Sequence, residues 1–309
     1  MIGGKLYCEY EFWKAFCSSQ NSDDILCLQH WYKLYGIFAK SNLTFDCSYA
    51  QLKDGISTDE YLKQLWKRSV NGECSIHCAE KFCYIDTLQD TNIFEKNYNA
   101  TYFTTIGNDL DQYGILNVTM DNMLNYDIKT IYIQNDKIYK TSWKDYKHYI
   151  IHPCNSIIFI DNYILKNEKS INTDFSDIIE LLIPKVSKVP IHITVVTNEL
   201  KISLENAYKL AYETIKKKCP NVKFNLGIFK SDKFHDRCII TNNSYITSGS
   251  GFDLFQGKGK TANTTTISQS YRFYDITKID NIIKLIIEQV KKVCESSIYK
   301  GDTKNRLLH

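Results

Sequence analysis

The segment Phe234–Phe255, FHDRCIITNNSYITSGSGFDLF, gathers the side chains best suited to handling phosphate. His235 and Arg237 stand two residues apart, which puts them on one face if the segment is a strand. Asn242 closes that run, and Ser248-Gly249-Ser250-Gly251 follows. A guanidinium presents a fixed fork of N–H donors, and glycines let backbone N–H groups come close to an oxyanion. The expected phosphate-binding set is therefore His235, Arg237, Asn242, Ser248, Gly249, Ser250 and Gly251, with Lys258 adding positive charge. Three readings compete. His235, Asp236 and Arg237 could form a structural hydrogen-bond network in an inactive scaffold. They could bind phosphate or nucleic acid without chemistry. Or His235 could act as a nucleophile, paired with a second copy across a homodimer, while Arg237 stabilises transition-state charge. Asn242 cannot supply the carboxylate that would orient a histidine, which weighs against hydrolysis.

A second set of residues is acidic. Glu9 and Glu11 follow the first expected strand, Asp46 follows the second, Asp109 and Asp111 come after Thr104-Thr105, and Asp121 comes after the last. Carboxylates at the carboxyl ends of strands in an α/β sheet can hold Mg²⁺ or Mn²⁺, and two such ions would suit phosphodiester hydrolysis. Glu9, Asp46, Asp109 and Asp111 are the expected metal ligands, and Glu9, Asp46 and Asp109 the expected catalytic acids beside His235 and Arg237. The plainer alternative is a set of solvated acids at strand ends. Cys74, His77, Cys78 and Cys83 could supply the four ligands of a zinc ion, but C-x-x-H-C-x4-C fits no familiar finger, and buried thiols are the simpler reading.

These residues need elements to position them. In the amino-terminal half the pattern predicts strands at 5–10, 43–46, 102–105 and 115–119, helices at 13–16, 25–38 and 58–68, and a hairpin over 127–140 turning at Gln134-Asn135-Asp136-Lys137. After a connector at Trp143–Pro153 come strands at 156–163, 191–197, 222–229, 235–241, 244–247 and 264–273, with helices at 175–183, 204–218 and 279–294. Strand–helix alternation of this kind predicts an α/β class with helices on both sheet faces. Two domains are expected, residues 1–148 and 149–309, with a mobile tail at Gly301–His309.

Composition bounds the partners. Residues 1–150 carry 15 Lys/Arg against 19 Asp/Glu, whereas residues 151–309 carry 23 against 16. The basic half suits a phosphate-bearing partner, nucleic acid or anionic lipid, between which charge does not decide, and the acidic half suits metal ions or a protein; the plainer alternative is two solvated surfaces of differing charge. The eleven cysteines are odd in number and irregularly spaced, no apolar leader opens the chain, and no run of about 18 apolar residues is present to span a bilayer. The expectation is a cytoplasmic protein with reduced thiols and no membrane span.

The HDR block resembles the phospholipase D superfamily signature, H-x-K, four residues, D, six residues, G-S. Here it reads His235, Arg237, four residues, Asn242, six residues, Gly249-Ser250, with Arg for Lys and Asn for Asp, and in a single copy. HDR followed by paired asparagines and GF-D-x-F is closest to the carboxy-terminal domain of MIT-domain proteins, and Ile158–Tyr163 resembles that domain's opening strand. The resemblance covers about residues 150–295. It implies a phospholipase D-like α/β sandwich that binds phosphorylated head groups without hydrolysing them, and bacterial HDR relatives imply an antiviral or conflict-system setting. Tyr102–Met120, YFTTIGNDLDQYGILNVTM, resembles the end of PIN-type nuclease domains, which implies a PIN-like α/β sheet in the first half, with Cys8-Glu9 in place of the usual strand-end aspartate. The functions implied are nucleic-acid phosphate binding with phosphodiester cleavage, a non-catalytic subunit docked on a larger nucleoprotein or effector, or a peripheral phospholipid sensor.

Overall fold

The computed structural model of the chain describes residues 5–21, 24–79, 87–107, 109–123, 126, 129–133, 142–146, 154–255, 265–273 and 276–309. They fall into two units. One comprises Met1–Leu110, Ile115–Asp127 and Tyr271–Asp280, the other Asp111–Gly114, Ile128–Ser270 and Asn281–His309.

The first unit alternates strands and helices: β1 (Leu6–Cys8), α1 (Tyr10–Ser18), α2 (Ile25–Phe38), β2 (Asn42–Phe45), α3 (Tyr49–Thr58), α4 (Glu60–Val70), β3 (Ser75–Cys78), α5 (Thr91–Asn97), β4 (Thr101–Phe103) and β5 (Leu116–Val118). Parallel strands need long crossovers, and the intervening helices supply them. The sheet runs β3-β2-β1-β4-β5 with every pairing parallel. The chain therefore winds outward one way from β1 and then the other way through β4. That reversal opens a crevice beyond the carboxyl ends of β1 and β4, the usual ligand position in such sheets. Stacked and edge-on aromatic pairs fill the core, Trp13 against Phe38 and Phe45, and Phe16 against Trp31. The sequence pattern missed α3, which starts from a reciprocal cap: Gln51 N–H donates to Ser48 Oγ at 3.2 Å and Ser48 N–H to Gln51 Oε1 at 2.9 Å.

The second unit is built on β6 (Lys129–Ile133), β7 (Ser156–Ile160), β8 (Ile191–Thr197), β9 (Phe224–Lys230), β10 (Cys238–Thr241), β11 (Ser244–Ser248), β12 (Thr265–Tyr271) and β13 (Tyr299–Gly301). Their order is β13-β9-β8-β7-β10-β11-β12-β6. β7, β8 and β9 are parallel, and β10 returns antiparallel on the far side of β7. Every residue of β7 is buried, as befits a strand covered on both faces. The helices are α6 (168–182, with a π-helical turn at Ile171–Phe175), α7 (Leu204–Lys218) and α8 (Ile276–Ser296).

Three expectations change. β6 pairs with β12, so Lys129–Ile133 goes with the second sheet, and the division falls earlier than 148/149; that predicted boundary lies among residues 147–153, outside the described residues, as does the turn at Gln134–Lys137. The 235–241 strand begins only at Cys238. The tail is ordered: Tyr299, Lys300 and Gly301 pair with Phe229, Ile228 and Gly227, and Arg306, Leu307 and Leu308 are buried. Position 301 requires glycine, because its φ is 92° and a Cβ there would sit 2.1 Å from the Leu226 carbonyl oxygen. Asn305 is fully buried and donates to Ile157 O (2.9 Å) and Thr194 Oγ1 (3.0 Å), while Leu307 N–H donates to its Oδ1 (3.0 Å). The partners of the tail lie 70 or more residues away, so no local pattern announces it. Replacing Asn305 with Ala leaves buried polar groups of β7 and β8 unpaired and is expected to cost about 2 kcal/mol or more in urea unfolding; an unchanged midpoint would show that the tail contributes nothing.

Candidate functional site

The β7–β10 register places Cys238 opposite Ile160, which brings the HDR loop beside the turn that leaves β7. Asp161 is the first residue of that turn. Its Oδ1 accepts from Tyr163 N–H (2.7 Å) and Ile164 N–H (3.0 Å), and its Oδ2 accepts from Phe252 N–H (2.6 Å). One carboxylate thus fixes both the β7 exit and the turn after β11. Burial pushes the Asp161 carboxyl up, opposed by these hydrogen bonds and by the nearby Arg237 charge. Arg237 donates from Nη1 to Gly249 O (3.1 Å), lies 5.6 Å over the Tyr163 ring, and has a buried Nε without a protein partner. Lys166 Nζ lies 5.1 Å from the same ring. Gly251, at φ 105°, closes the cluster: a Cβ there would be 3.0 Å from Asp161 Oδ2, 3.2 Å from Arg237 Cδ and 3.3 Å from Asp253 Oδ1.

The glycine turn is not the open cradle expected from sequence. Gly249 N–H donates to Thr266 O (3.1 Å), Ser250 N–H to Thr265 Oγ1 (2.9 Å) and Gly251 N–H to Ser248 Oγ (3.1 Å). Phe252 N–H is taken by Asp161, and Ser248 Oγ donates back to Gly251 O. The N–H groups of Gly249, Ser250 and Gly251, which an oxyanion would need, are spent inside the protein. His235 is exposed, on a loop held by Ser231 N–H to Thr197 O (2.9 Å) and by Asn162 Nδ2 to Phe234 O (3.4 Å). It does not share a strand face with Arg237, because β10 has not yet begun. Asn242 is a correction of a different kind. It sits fully buried at the other end of β10, five residues and roughly 17 Å from Arg237. Its Oδ1 accepts from Asn155 N–H (2.9 Å) and its Nδ2 donates to Gly114 O (2.8 Å), so it staples backbone. Lys258 lies outside the described residues. His192 stands at the amino-terminal end of β8, where its Nδ1 accepts from Arg306 N–H (3.2 Å); burial first, then the Arg306 charge, lowers it to about 4. The edge that carries His235 therefore receives no second histidine from β8.

Behind the cluster lies an acid that the sequence reading passed over. Asp174, in the π-helical turn of α6, accepts at Oδ1 from Trp143 Nε1 (3.0 Å) and Phe255 N–H (2.7 Å), and at Oδ2 from Thr173 Oγ1 (3.3 Å). Burial, reinforced by the Asp253 charge, pushes its carboxyl up to about 7. No sequence signal marks it, because Asp174 lies in the polar run Asn172-Thr173-Asp174 just before the predicted helix 175–183.

In the first unit, two of the predicted acids stand at adjacent strand ends, Glu9 after β1 and Asp46 after β2. Glu9 Oε2 accepts from Thr105 N–H and Thr105 Oγ1, both at 2.7 Å. Asp46 Oδ1 accepts from Tyr10 N–H (2.6 Å), and burial pushes its carboxyl up, with the Glu9 charge adding to the rise. Each carboxylate thus has one oxygen fixed by the protein. That is compatible with Mg²⁺, which takes one or two carboxylates and completes its shell with water and substrate phosphate. The larger expected set is not assembled: Asp109 and Asp111 are exposed in a 3-10 turn, and Glu11 pairs with Lys14. Among the described residues no group of three or more His, Cys, Asp or Glu could hold a metal ion. Zinc at Cys74, His77 and Cys78 fails on geometry. His77 and Cys78 are neighbours on β3 and point to opposite faces, and Cys74 Sγ turns to Leu65 O (3.7 Å); Cys83 lies outside the described residues.

Residues 139–284 match the family model of the phospholipase D-like domain at the carboxy terminus of MIT. No curated protein matches the chain. A solved structure of TrmBL2, an archaeal chromatin protein described as showing a novel mode of DNA binding, aligns at 14% identity and a TM-score of 0.31, over 55% of this chain and 52% of the other. The chain thus spans about half the length of that protein, and a score this low defines no shared fold. Among the described residues no helix is long and apolar enough to cross a membrane.

Asp174 gives the site a pH signature. Between the ordinary carboxyl range near 4 and about 7, the folded chain keeps a proton that the unfolded chain has lost, so stability falls as pH rises through that window. Asp174→Asn keeps an oxygen acceptor for Trp143 and Phe255 without the charge. The wild-type melting temperature is expected to drop relative to this variant between pH 5 and pH 8; parallel curves would contradict the assignment.

Proposed function

The carboxy-terminal half carries a phospholipase D-like domain, and we propose that this domain recognises phosphate groups of nucleic acid without hydrolysing them. One observation carries the reading. Arg237 lies half-buried in the HDR loop, two residues from the exposed His235, with one N–H given to Gly249 O and a buried Nε without a protein partner. A guanidinium held by Tyr163 and the Gly249 carbonyl is pre-oriented, so little freedom is lost when it forks onto a phosphate. Hydrolysis is disfavoured because Asn242 lies at the far end of β10 and no carboxylate is bonded to His235 among the described residues. The basic balance of residues 151–309 favours the same class of partner.

The setting implied by the HDR resemblance, a prokaryotic antiviral or conflict system, belongs to this proposal, as does docking on a larger nucleoprotein or pairing of two copies. Arg237→Ala is expected to weaken binding of a 5′-phosphorylated six-nucleotide DNA by about tenfold, measured by anisotropy, the scale of one charge-assisted contact. Equal binding by the variant would remove Arg237 from the site. Binding to anionic vesicles in place of the oligonucleotide would transfer the reading to lipid head groups.

A second reading is favoured by Glu9 and Asp46 at the carboxyl ends of the adjacent strands β1 and β2. We propose that any phosphodiester cleavage by this chain belongs there, as in a PIN-like nuclease. Glu9 and Asp46 would hold Mg²⁺ or Mn²⁺ together with substrate phosphate, and the bound ion would supply charge neutralisation. Asp109 would join them only if its exposed turn moved. Glu9→Gln is expected to lose Mn²⁺-dependent cleavage of single-stranded DNA or RNA by about a hundredfold or more, with oligonucleotide binding retained. Cleavage that persists in the variant, or in EDTA, would exclude this site.

A further inference from the structure

The positive charge of the second unit is not concentrated around the HDR loop. At that carboxyl edge of β7–β9, Lys166, Lys201, Lys230, Lys233 and Arg237 stand against Glu199, Asp232, Asp236 and the buried Asp161. The opposite edge, at the amino ends of the same strands, is more one-sided. Lys185 and Lys188 lie on the loop that feeds β8, Lys216 and Lys217 in the last turn of α7, Lys223 just before β9, and Lys304 on the tail, all exposed. Backbone contacts tie these segments to one edge. Ile191 N–H donates to Lys223 O (2.9 Å), and Arg306 donates from Nη1 to Pro190 O (2.8 Å) and from its N–H to His192 Nδ1 (3.2 Å). Lys304 and the exposed His309 lie close enough to His192 for their charges to act on it. The acids here are Asp111, Glu213 and Asp302; Glu180 is bonded to Lys218 and Lys144.

Lysines at a helix carboxyl end also answer the helix dipole. That accounts for Lys216 and Lys217 but not for Lys185, Lys188, Lys223 and Lys304, which come from three other segments. The character of the patch selects among polyanions. Its large exposed apolar residue is Val186, and the ring of Tyr113 is buried with Lys188 Nζ 5.5 Å above it. Insertion into a lipid interface needs larger apolar side chains, and gripping a single strand needs exposed aromatic platforms. Spaced lysines suit the regular phosphates of a duplex.

We infer that the amino-terminal edge of β7–β9, through Lys185, Lys188, Lys216, Lys217, Lys223 and Lys304, is a sequence-independent binding surface for the backbone of double-stranded nucleic acid. This surface uses none of the residues of the Arg237 site and stands or falls separately from it.

The test is anisotropy of the full chain with a labelled 30-base-pair DNA duplex, titrated over a range of KCl concentrations. The triple variant Lys188→Glu, Lys217→Glu, Lys223→Glu is expected to bind at least tenfold more weakly and to lower the slope of log affinity against log salt by about three, one unit for each lost phosphate contact. Arg237→Ala is expected to leave that slope unchanged. A second variant with Gln at the same three positions removes charge without reversing it and is expected to shift the slope in the same direction. The inference is overturned if natively folded triple variants, checked by circular dichroism, keep the wild-type affinity and slope. It is also overturned if the wild-type chain ignores the duplex and co-floats with anionic vesicles instead.

Discussion

The buried carboxylate of Asp161 is the constraint on which the second unit's candidate site depends. It gathers three backbone N–H groups from two loops that are ninety residues apart in sequence, and it does so at the point where a parallel strand meets an antiparallel one. A carboxylate removed from water is costly unless it is hydrogen-bonded and faced by opposite charge. Here the hydrogen bonds come from Tyr163, Ile164 and Phe252, and the charge comes from Arg237. The consequence is an ordered chain of dependence: Asp161 holds the Gly251 turn, the turn presents the Gly249 carbonyl, and that carbonyl orients Arg237. The backbone N–H groups of the glycine turn are taken by Thr266 O, Thr265 Oγ1 and Ser248 Oγ, and the next, Phe252 N–H, by Asp161. Recognition therefore passes to side chains, and away from the glycine turn.

Much of the fold was legible because it is local. SIIFI and IHITVVT are apolar runs of strand length, LENAYKLAYETIKKK has helical periodicity and a serine cap, and the paired asparagines mark the β10–β11 hairpin. What escaped reading is non-local. The tail contains no apolar run long enough to predict burial, and Asn305 gains its meaning only from carbonyl and hydroxyl groups of two distant strands. The HDR spacing identified the right loop but assigned its members to one face of a strand that starts three residues later. Asn242 kept the spacing of a signature position while facing buried backbone, because sequence spacing fixes separation along a strand and not which end of it meets the ligand.

The first unit shows the same division. The order of strands and helices implied a parallel sheet, and the acids expected at strand ends are there. Convergence is narrower than their number suggested, since Glu9 and Asp46 come from the two strand ends adjacent in the sheet. Asp109 and Asp111 follow β4 at a distance of several residues, and the turn that carries them is shared between the two units. A count of carboxylates in a sequence overstates a site unless each is tied to a particular strand end.

The two units are also interleaved along the chain. Tyr271 ends the second sheet's β12 and Phe273 follows it, yet both pack with Tyr126 in the core of the first unit. Neither unit corresponds to an uninterrupted stretch of coding sequence. An exchange of genetic material that moved residues 1–127 alone would deprive the first core of two aromatic side chains, and one that moved 128–309 would carry them off unpaired. A single break in the chain therefore separates neither unit whole from the other.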